Sequence, residues 1–170
     1  NFNAKLGDFG LVRLVDHAKE SRITDLAGTK GYIDPRCVTT RRASKESDIY
    51  SFGIVALELA CGRKPVNHEA PEDQVVMLEW VRELHGREVL LNAADQRLGG
   101  HFDEQQMKCL LIVGLWCAHS EYDHRPSIKE VIQVLNFETP LPLLQFDIPK
   151  SSHHTLTMNE ATSSFSSSNE

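Results

Sequence analysis

The sequence predicts a mainly α-helical fold, and three observations predict it. Apolar residues recur at i, i+3, i+4 and i+7 in three stretches: Met77, Trp80, Val81, Leu84; Met107, Leu110, Leu111, Gly114; and a last one after Ser127. Two serines, Ser44 and Ser127, stand where helices would begin. Extended, turn-punctuated sequence is confined to the first residues. With 170 residues and 41% hydrophobic side chains, the chain can bury the core of one ordinary domain.

From the start, Ala4 to Arg13 reads as a short strand, a glycine-flanked turn and a second extended piece, hairpin-like in outline. Residues 16–30 keep no period; a polar loop of that length is usually reserved for function. Ser44 can accept from the free amides of a first helical turn, and the run Ile49, Phe52, Ile54, Val55, Leu57, Leu59 follows until Gly62 stops it. Apolar residues fall on nearly every side of that helix, which places it in the middle of the domain. The Met77 stripe lies between Pro71 and Gly86. Ser127 and Glu130 match a capping box, in which serine and glutamate each satisfy a backbone amide, and Ile128, Val131, Ile132 and Leu135 form the stripe behind it. The pattern breaks at Pro140 and Pro142, and residues 151–170 are half Ser and Thr. A packed unit over 1–138 and a disordered tail over 139–170 are therefore expected.

The 18 Lys and Arg against 24 Asp and Glu give a net charge of −6, which argues against nucleic acid as a partner. No apolar stretch approaches the ~20 residues needed to span a bilayer. Cys37, Cys61, Cys109 and Cys117 form no C-x-x-C pair and suit buried thiols in a reducing cytoplasm, and no Asn-x-Ser/Thr sequon occurs. The opening residues show no signal peptide and read as a chain cut within a domain.

Gly7-Asp8-Phe9-Gly10 sets a carboxylate between a strand and a tight turn, where an oxygen ligand could take a magnesium ion; the same tetrapeptide also reads as an ordinary turn. Cys109, Cys117, His119 and His124 could be written as a zinc set, but the spacing fits no standard finger and core thiols are the better reading. Arg36, Arg41, Arg42 and Lys45 could attract acidic peptides or phosphate, or form a solvated face.

Further along come Gly28-Thr29-Lys30-Gly31-Tyr32-Ile33-Asp34-Pro35, Ser47-Asp48-Ile49-Tyr50-Ser51-Phe52-Gly53 and His124-Arg125-Pro126-Ser127. With Asp8-Phe9-Gly10, these four ordered motifs resemble the second half of a eukaryotic protein kinase over roughly residues 1–138. Residues 26–65 most resemble plant receptor-like serine/threonine kinases. Ala43 to Asp48 and Ala60 to Pro65 look like the subgroup with an extracellular legume-lectin-type domain. The resemblance implies a helical bundle like the kinase C-lobe, ATP-dependent transfer of phosphate to protein hydroxyls, and a place at the cytoplasmic side of the plasma membrane. It implies that Asp8 holds magnesium with Phe9 packed beneath it and Gly10 in the turn, and that Asp48 holds the catalytic loop, although Asp48 also reads as a first-turn residue favoured by the helix dipole. Gly28, Thr29, Gly31 and Tyr32 match the shelf that receives the substrate peptide. Ser21, Thr24 and Thr29 are phosphorylation candidates, since a phosphate can order a loop against Arg13 or Arg22, although any polar loop carries hydroxyls.

Two departures follow. The sequence shows no glycine-rich nucleotide loop, strand lysine or His-Arg-Asp loop, so a chain without the N-lobe is expected, in which Asp8 alone would hold Mg2+ and ATP at best weakly. The expectation is an inactive chain, either part of a kinase or a catalytically dead interaction module. Its partners would be a protein substrate, the missing kinase segments, or itself. The central helix would lack its usual cover, and ~400 Å² of exposed apolar area forfeits on the order of 10 kcal/mol. Secondly, Asp34-Pro35-Arg36 stands where the family has Ala-Pro-Glu, whose glutamate pairs with the arginine matched by Arg125. Two facing guanidiniums in a dry site are untenable, so Arg36 is expected to turn outward and Arg125 to find Asp34 or Glu46.

Overall fold

The computed structural model describes residues 31–40, 42–144 and 146. The hairpin-like segment over 4–13 and the loop over 16–30 lie outside these residues. Five α-helices follow in order: α1 (Pro35–Thr40), α2 (Lys45–Cys61), α3 (Met77–Gly86), α4 (Glu104–Cys117) and α5 (Ile128–Leu135). Short 3-10 turns at Glu72–Gln74, Leu90–Ala93, Gln96–Leu98 and Tyr122–His124 link them. Among the described residues no strand forms; an isolated antiparallel bridge joins Val66 to Val76.

The ends of the helices are closed by side chains close in sequence. Ser44 caps α2 through a reciprocal pair, its Oγ accepting from the Ser47 amide at 3.3 Å while Ser47 Oγ accepts from the Ser44 amide at 2.8 Å. At the other end Gly62 takes the left-handed conformation, φ 63°, and its amide returns to the Glu58 carbonyl. Asp103 caps α4, and the Ser127–Glu130 box caps α5 as its spacing in the sequence indicates. Helix α1 was not legible beforehand. It is one and a half turns long with only Cys37 buried, so it has no apolar stripe; Pro35 in its first turn and the Asp34 carboxylate, which accepts from the Arg36 amide at 2.9 Å, start it locally.

Helix α2 is the axis of the bundle. Tyr50, Ile54, Leu57, Ala60 and Cys61 enter the main core with Met77, Val81, Leu84, Leu111 and Leu115. A second cluster joins Cys109, Val113 and Cys117 of α4 to Val131 and Val134 of α5. One side of α2 is left open: Phe52, Val55 and Leu59, spaced along one stripe, are 37%, 41% and 72% exposed. The expectation of an apolar helix with part of its surface uncovered thus holds for these residues.

Glycine sets the closeness of α2 to α4. A Cβ on Gly114 would stand 2.7 Å from Leu57 Cδ2 and 3.2 Å from the Gly53 carbonyl oxygen, and one on Gly53 would stand 2.7 Å from the Gly114 carbonyl oxygen. At Gly53 the obstacle is backbone, and at Gly114 it is the side chain of Leu57, which is fully buried and has no room to swing away. After α5 the chain continues over the body, and Leu141, Leu144 and Phe146 pack against the main core, with the Phe146 ring stacked 5.6 Å from that of His119. These contacts carry the packed body past residue 138, where composition had placed its end. Apolar residues dispersed among prolines dock individually and leave no period to read.

The glycine contact makes a prediction whose sign opposes helix propensity. In an open helix Gly→Ala is worth about 1 kcal/mol of stabilisation. Here Gly114→Ala is expected to destabilise by about 1–3 kcal/mol through overpacking against α2, and a urea titration of the variant beside the parent chain checks it.

Candidate functional site

The site is organised around Arg125, which leaves the Tyr122–His124 turn in extended conformation and runs its side chain into the body. That side chain is 1% exposed, and the Asp34 carboxylate that pairs with its Nη1 is fully enclosed. A buried guanidinium must find acceptors for its donors as well as an anion. Nε donates to the His119 carbonyl at 2.7 Å, Nη1 also to the Glu46 carbonyl at 3.0 Å, and Nη2 to the Ser120 carbonyl at 3.5 Å. One residue thereby ties the segment before α1, the start of α2 and the turn before α5.

Two tyrosines border the guanidinium. Its carbon lies 4.7 Å from the Tyr122 centroid and 4.9 Å from that of Tyr50. Arg36 turns outward, is exposed, and sits 3.9 Å from the same Tyr122 ring. The charge conflict is thus resolved by separation: Arg125 takes Asp34 inside, and Arg36 stays at the surface over an aromatic face. Glu46 contributes its backbone carbonyl, not its carboxylate.

Just upstream, Gly31 and Tyr32 lie against α2 and the loop after it. Gly31 has φ 95°, and a Cβ there would meet Pro65 Cβ at 2.8 Å, so only glycine fits. The Tyr32 carbonyl accepts from Ser51 Oγ at 2.8 Å, and its phenol donates to the Glu58 carboxylate. Ser51 and Glu58 are seven residues apart on one face of α2, two polar groups in a largely apolar helix. That contrast is the signal for them in the sequence.

On the other side of Arg125 opens a cavity of about 710 Å³, lined by Asp48, Ile49 and Phe52 of α2, by Tyr122 and Arg125, and by Ile128 of α5. Asp48 stands exposed at this cavity, and desolvation raises its carboxyl pKa. Among the described residues no donor reaches that carboxylate. Asp8, Phe9, Gly10, Ser21, Thr24, Gly28 and Thr29 lie outside the described residues. Of the remaining sequence-derived positions, Gly31 and Tyr32 are held on α2, Arg125 joins Asp34, and Asp48 faces the cavity on Arg125's far side.

Cys109 and Cys117 share the second core cluster and the rings of His119 and His124 meet edge to face at 4.8 Å, each residue engaged in contacts of its own. Cys109 Sγ donates to the Val134 carbonyl at 3.4 Å, Cys117 is buried against α2 with its thiol pushed up to about 12 by burial, and His119 Nδ1 accepts the Glu121 amide at 3.0 Å. Burial likewise raises the Cys61 thiol to about 12, which leaves it protonated and unreactive near neutrality.

The Tyr32–Glu58 contact can be tested by titration. The hydrogen bond to Glu58, then burial, then the nearby negative charge raise the Tyr32 phenol from 10.0 to about 12. Because the folded value is the higher, this contribution to stability is complete below pH 10 and is lost as pH rises through about 12. An ultraviolet titration of the folded chain is expected to show a tyrosine ionising near 12 that disappears in Tyr32→Phe.

A protein kinase domain profile matches residues 1–136. The chain is 50% identical over 162 residues to the L-type lectin-domain containing receptor kinase IX.1 of Arabidopsis thaliana, covering 94% of this chain and 25% of that protein. It is 46% identical to L-type lectin-domain containing receptor kinase IX.2 of the same plant, over 99% of this chain and 26% of the relative. It is also 43% identical to L-type lectin-domain containing receptor kinase S.7 of Oryza sativa subsp. japonica, over 87% and 21%. The chain therefore spans about a quarter of the length of these relatives. With its helical body, its glycine-and-tyrosine segment docked on α2 and four motifs in register, the chain belongs to the protein kinase domain family.

Proposed function

We propose that this chain is the substrate-docking half of a receptor-like serine/threonine protein kinase and that it transfers phosphate only when joined to the segments that hold the nucleotide and the proton acceptor. The observation that carries the reading is the open side of α2. Phe52, Val55 and Leu59 form an apolar stripe, beside a cavity in which Asp48 offers a carboxylate with no donor among the described residues. A helix this apolar is stable only when covered, and an unpaired carboxylate at the edge of the gap suits a loop that presents backbone amides.

In this reading Gly31 and Tyr32 form part of the shelf for the peptide that carries the acceptor hydroxyl. Gly28 and Thr29 would complete it, Asp8 would hold magnesium with Phe9 and Gly10 beside it in sequence, and Ser21, Thr24 and Thr29 would be the hydroxyls through which the loop is regulated. Magnesium would supply charge neutralisation on the transferring phosphoryl group. Likeness to the receptor kinases supports a cytoplasmic face of the plasma membrane as the place of this work. Among the described residues no helix is long and apolar enough to cross a membrane.

A second reading, a catalytically dead interaction module, is favoured by Arg36, which stands where the family carries a glutamate. Its force is reduced by Asp34, which gives Arg125 the anion that Arg36 cannot.

Incubated with ATP, magnesium and a serine- and threonine-rich acceptor protein, the isolated chain is expected to transfer no phosphate, and measurable turnover would overturn the first reading. The same residues joined to the upstream coding sequence are expected to transfer it, and Asp8→Asn in that longer protein to lower the rate by roughly 100-fold or more. Mass spectrometry of the longer protein should find phosphate on at least one of Ser21, Thr24 and Thr29. An inactive longer protein transfers support to the interaction module.

A further inference from the structure

Where α2 ends, a second cavity opens, of about 420 Å³, which shares no lining residue with the one beside Arg125. Several stretches meet at it: Arg63 just after α2, Gln74 at the end of a 3-10 turn, Trp80 of α3, and Asn92, Asp95 and Gln96 from the connection to α4. Two of these residues are charged, and their situations are opposite. Asp95 is occupied: its Oδ1 accepts the Arg97 amide at 2.9 Å and Nε at 3.0 Å, and its Oδ2 accepts Arg97 Nη2 at 2.7 Å. Arg63 has only neutral acceptors. Its Nη1 donates to Gln74 Oε1 at 3.0 Å and its Nη2 to the Gln74 carbonyl at 3.1 Å, while its guanidinium carbon lies 4.3 Å from the Trp80 ring centroid. Among the described residues no carboxylate pairs with it.

A guanidinium carries five N–H donors in one plane, and Gln74 takes two of them. Gln74 and the Trp80 face therefore hold the half-buried Arg63 in one orientation without neutralising it. A planar cation fixed in this way, with donors to spare, is suited to gripping an oxyanion. Arg63 and Arg97 against Asp95 leave one positive charge at the cavity, in a chain whose net charge is −6. Glu72 and Asp73 precede Gln74 but are exposed and do not line the cavity. The size of the cavity lies within the range of small-ligand sites, and a lone ion would leave most of it filled with water. We propose that it is an oxyanion site for a peptide side chain, a phosphate ester or a carboxylate. Arg63 holds the oxyanion, and the exposed amides of Asn92 and Gln96 serve the peptide backbone at the mouth.

The probes are three tripeptides blocked at both ends, Ala-phosphoserine-Ala, Ala-Glu-Ala and Ala-Ser-Ala. Each is titrated into the full chain while the NMR signal of the Trp80 indole N–H, assigned by its loss in Trp80→Phe, is followed. At least one acidic peptide is expected to shift that signal to saturation with a Kd of about 1 mM or tighter, and the neutral peptide is not. Which acid binds names the source of the oxyanion. Arg63→Gln is expected to weaken binding by about tenfold or more. Gln74→Glu would hand Arg63 a carboxylate of its own, and is expected to weaken binding as much while leaving the thermal midpoint equal to or above that of the parent. A purely structural Arg63 would not give this split, and Gln74→Glu keeps the test in force should Arg63→Gln fail to fold. Parent-like binding in either variant, equal shifts with the neutral peptide, or no saturable shift with either acid overturns the site and leaves Arg63 as a tie between the end of α2 and the turn at Gln74. No ATP is present, so this result stands apart from the turnover assay.

Discussion

The enclosed pair of Arg125 and Asp34 is the constraint on which the arrangement of the site depends. A guanidinium that is 1% exposed has lost its water on every side, and removing its anion would cost about 3–5 kcal/mol, a large part of a domain's stability of ~5–15 kcal/mol. The pair is therefore weak evidence for stability gained and strong evidence for geometry fixed. Each of its satisfied donors points to a different stretch of backbone: the segment before α1, the first turn of α2 and the residues between α4 and α5. Segments up to 91 residues apart in sequence are held at one point.

That point works because the body behind it is rigid. Gly53 and Gly114 bring α2 and α4 into backbone contact, and the two core clusters lie on either side of α4. Ser51 and Glu58, which grip Tyr32, project from the same α2 whose other residues are locked into the core. Gly31 has no side chain to pack, so the position of the segment it opens has to come from the helix beneath it.

What could be read from the sequence divides along the range of the interaction. Capping at Ser44 and Ser127, the stop at Gly62 and the stripe of α3 are set by residues within one turn of each other, and all were legible. The central place of α2 was legible too, because a helix apolar on all sides has only one environment available. Gly114 was read as one member of a stripe, since its actual role depends on the register of α2 against α4, which no local pattern encodes. Helix α1 was missed for want of a period, and the Leu141–Phe146 stretch because its few apolar residues dock singly. The Asp34–Arg125 pair was reachable only as a departure from a known pattern: Arg36 made the usual partner impossible and so narrowed the search to the nearest acids.

The open stripe on α2 and the closed pair at Arg125 follow from the same physics applied to different surfaces. Charge cannot be left buried and unpaired, so Arg125 is satisfied from within the described chain. Apolar surface can be left exposed at a cost that grows with area, so Phe52, Val55 and Leu59 can wait for a partner that a buried charge could not await. A body divided in this way keeps its buried ion pair complete while the open stripe of α2 stays available. If the proposed kinase reading holds, the segment around Tyr32 and Asp34 would be anchored before α2 is covered, because the buried charge tolerates no delay and the apolar stripe does.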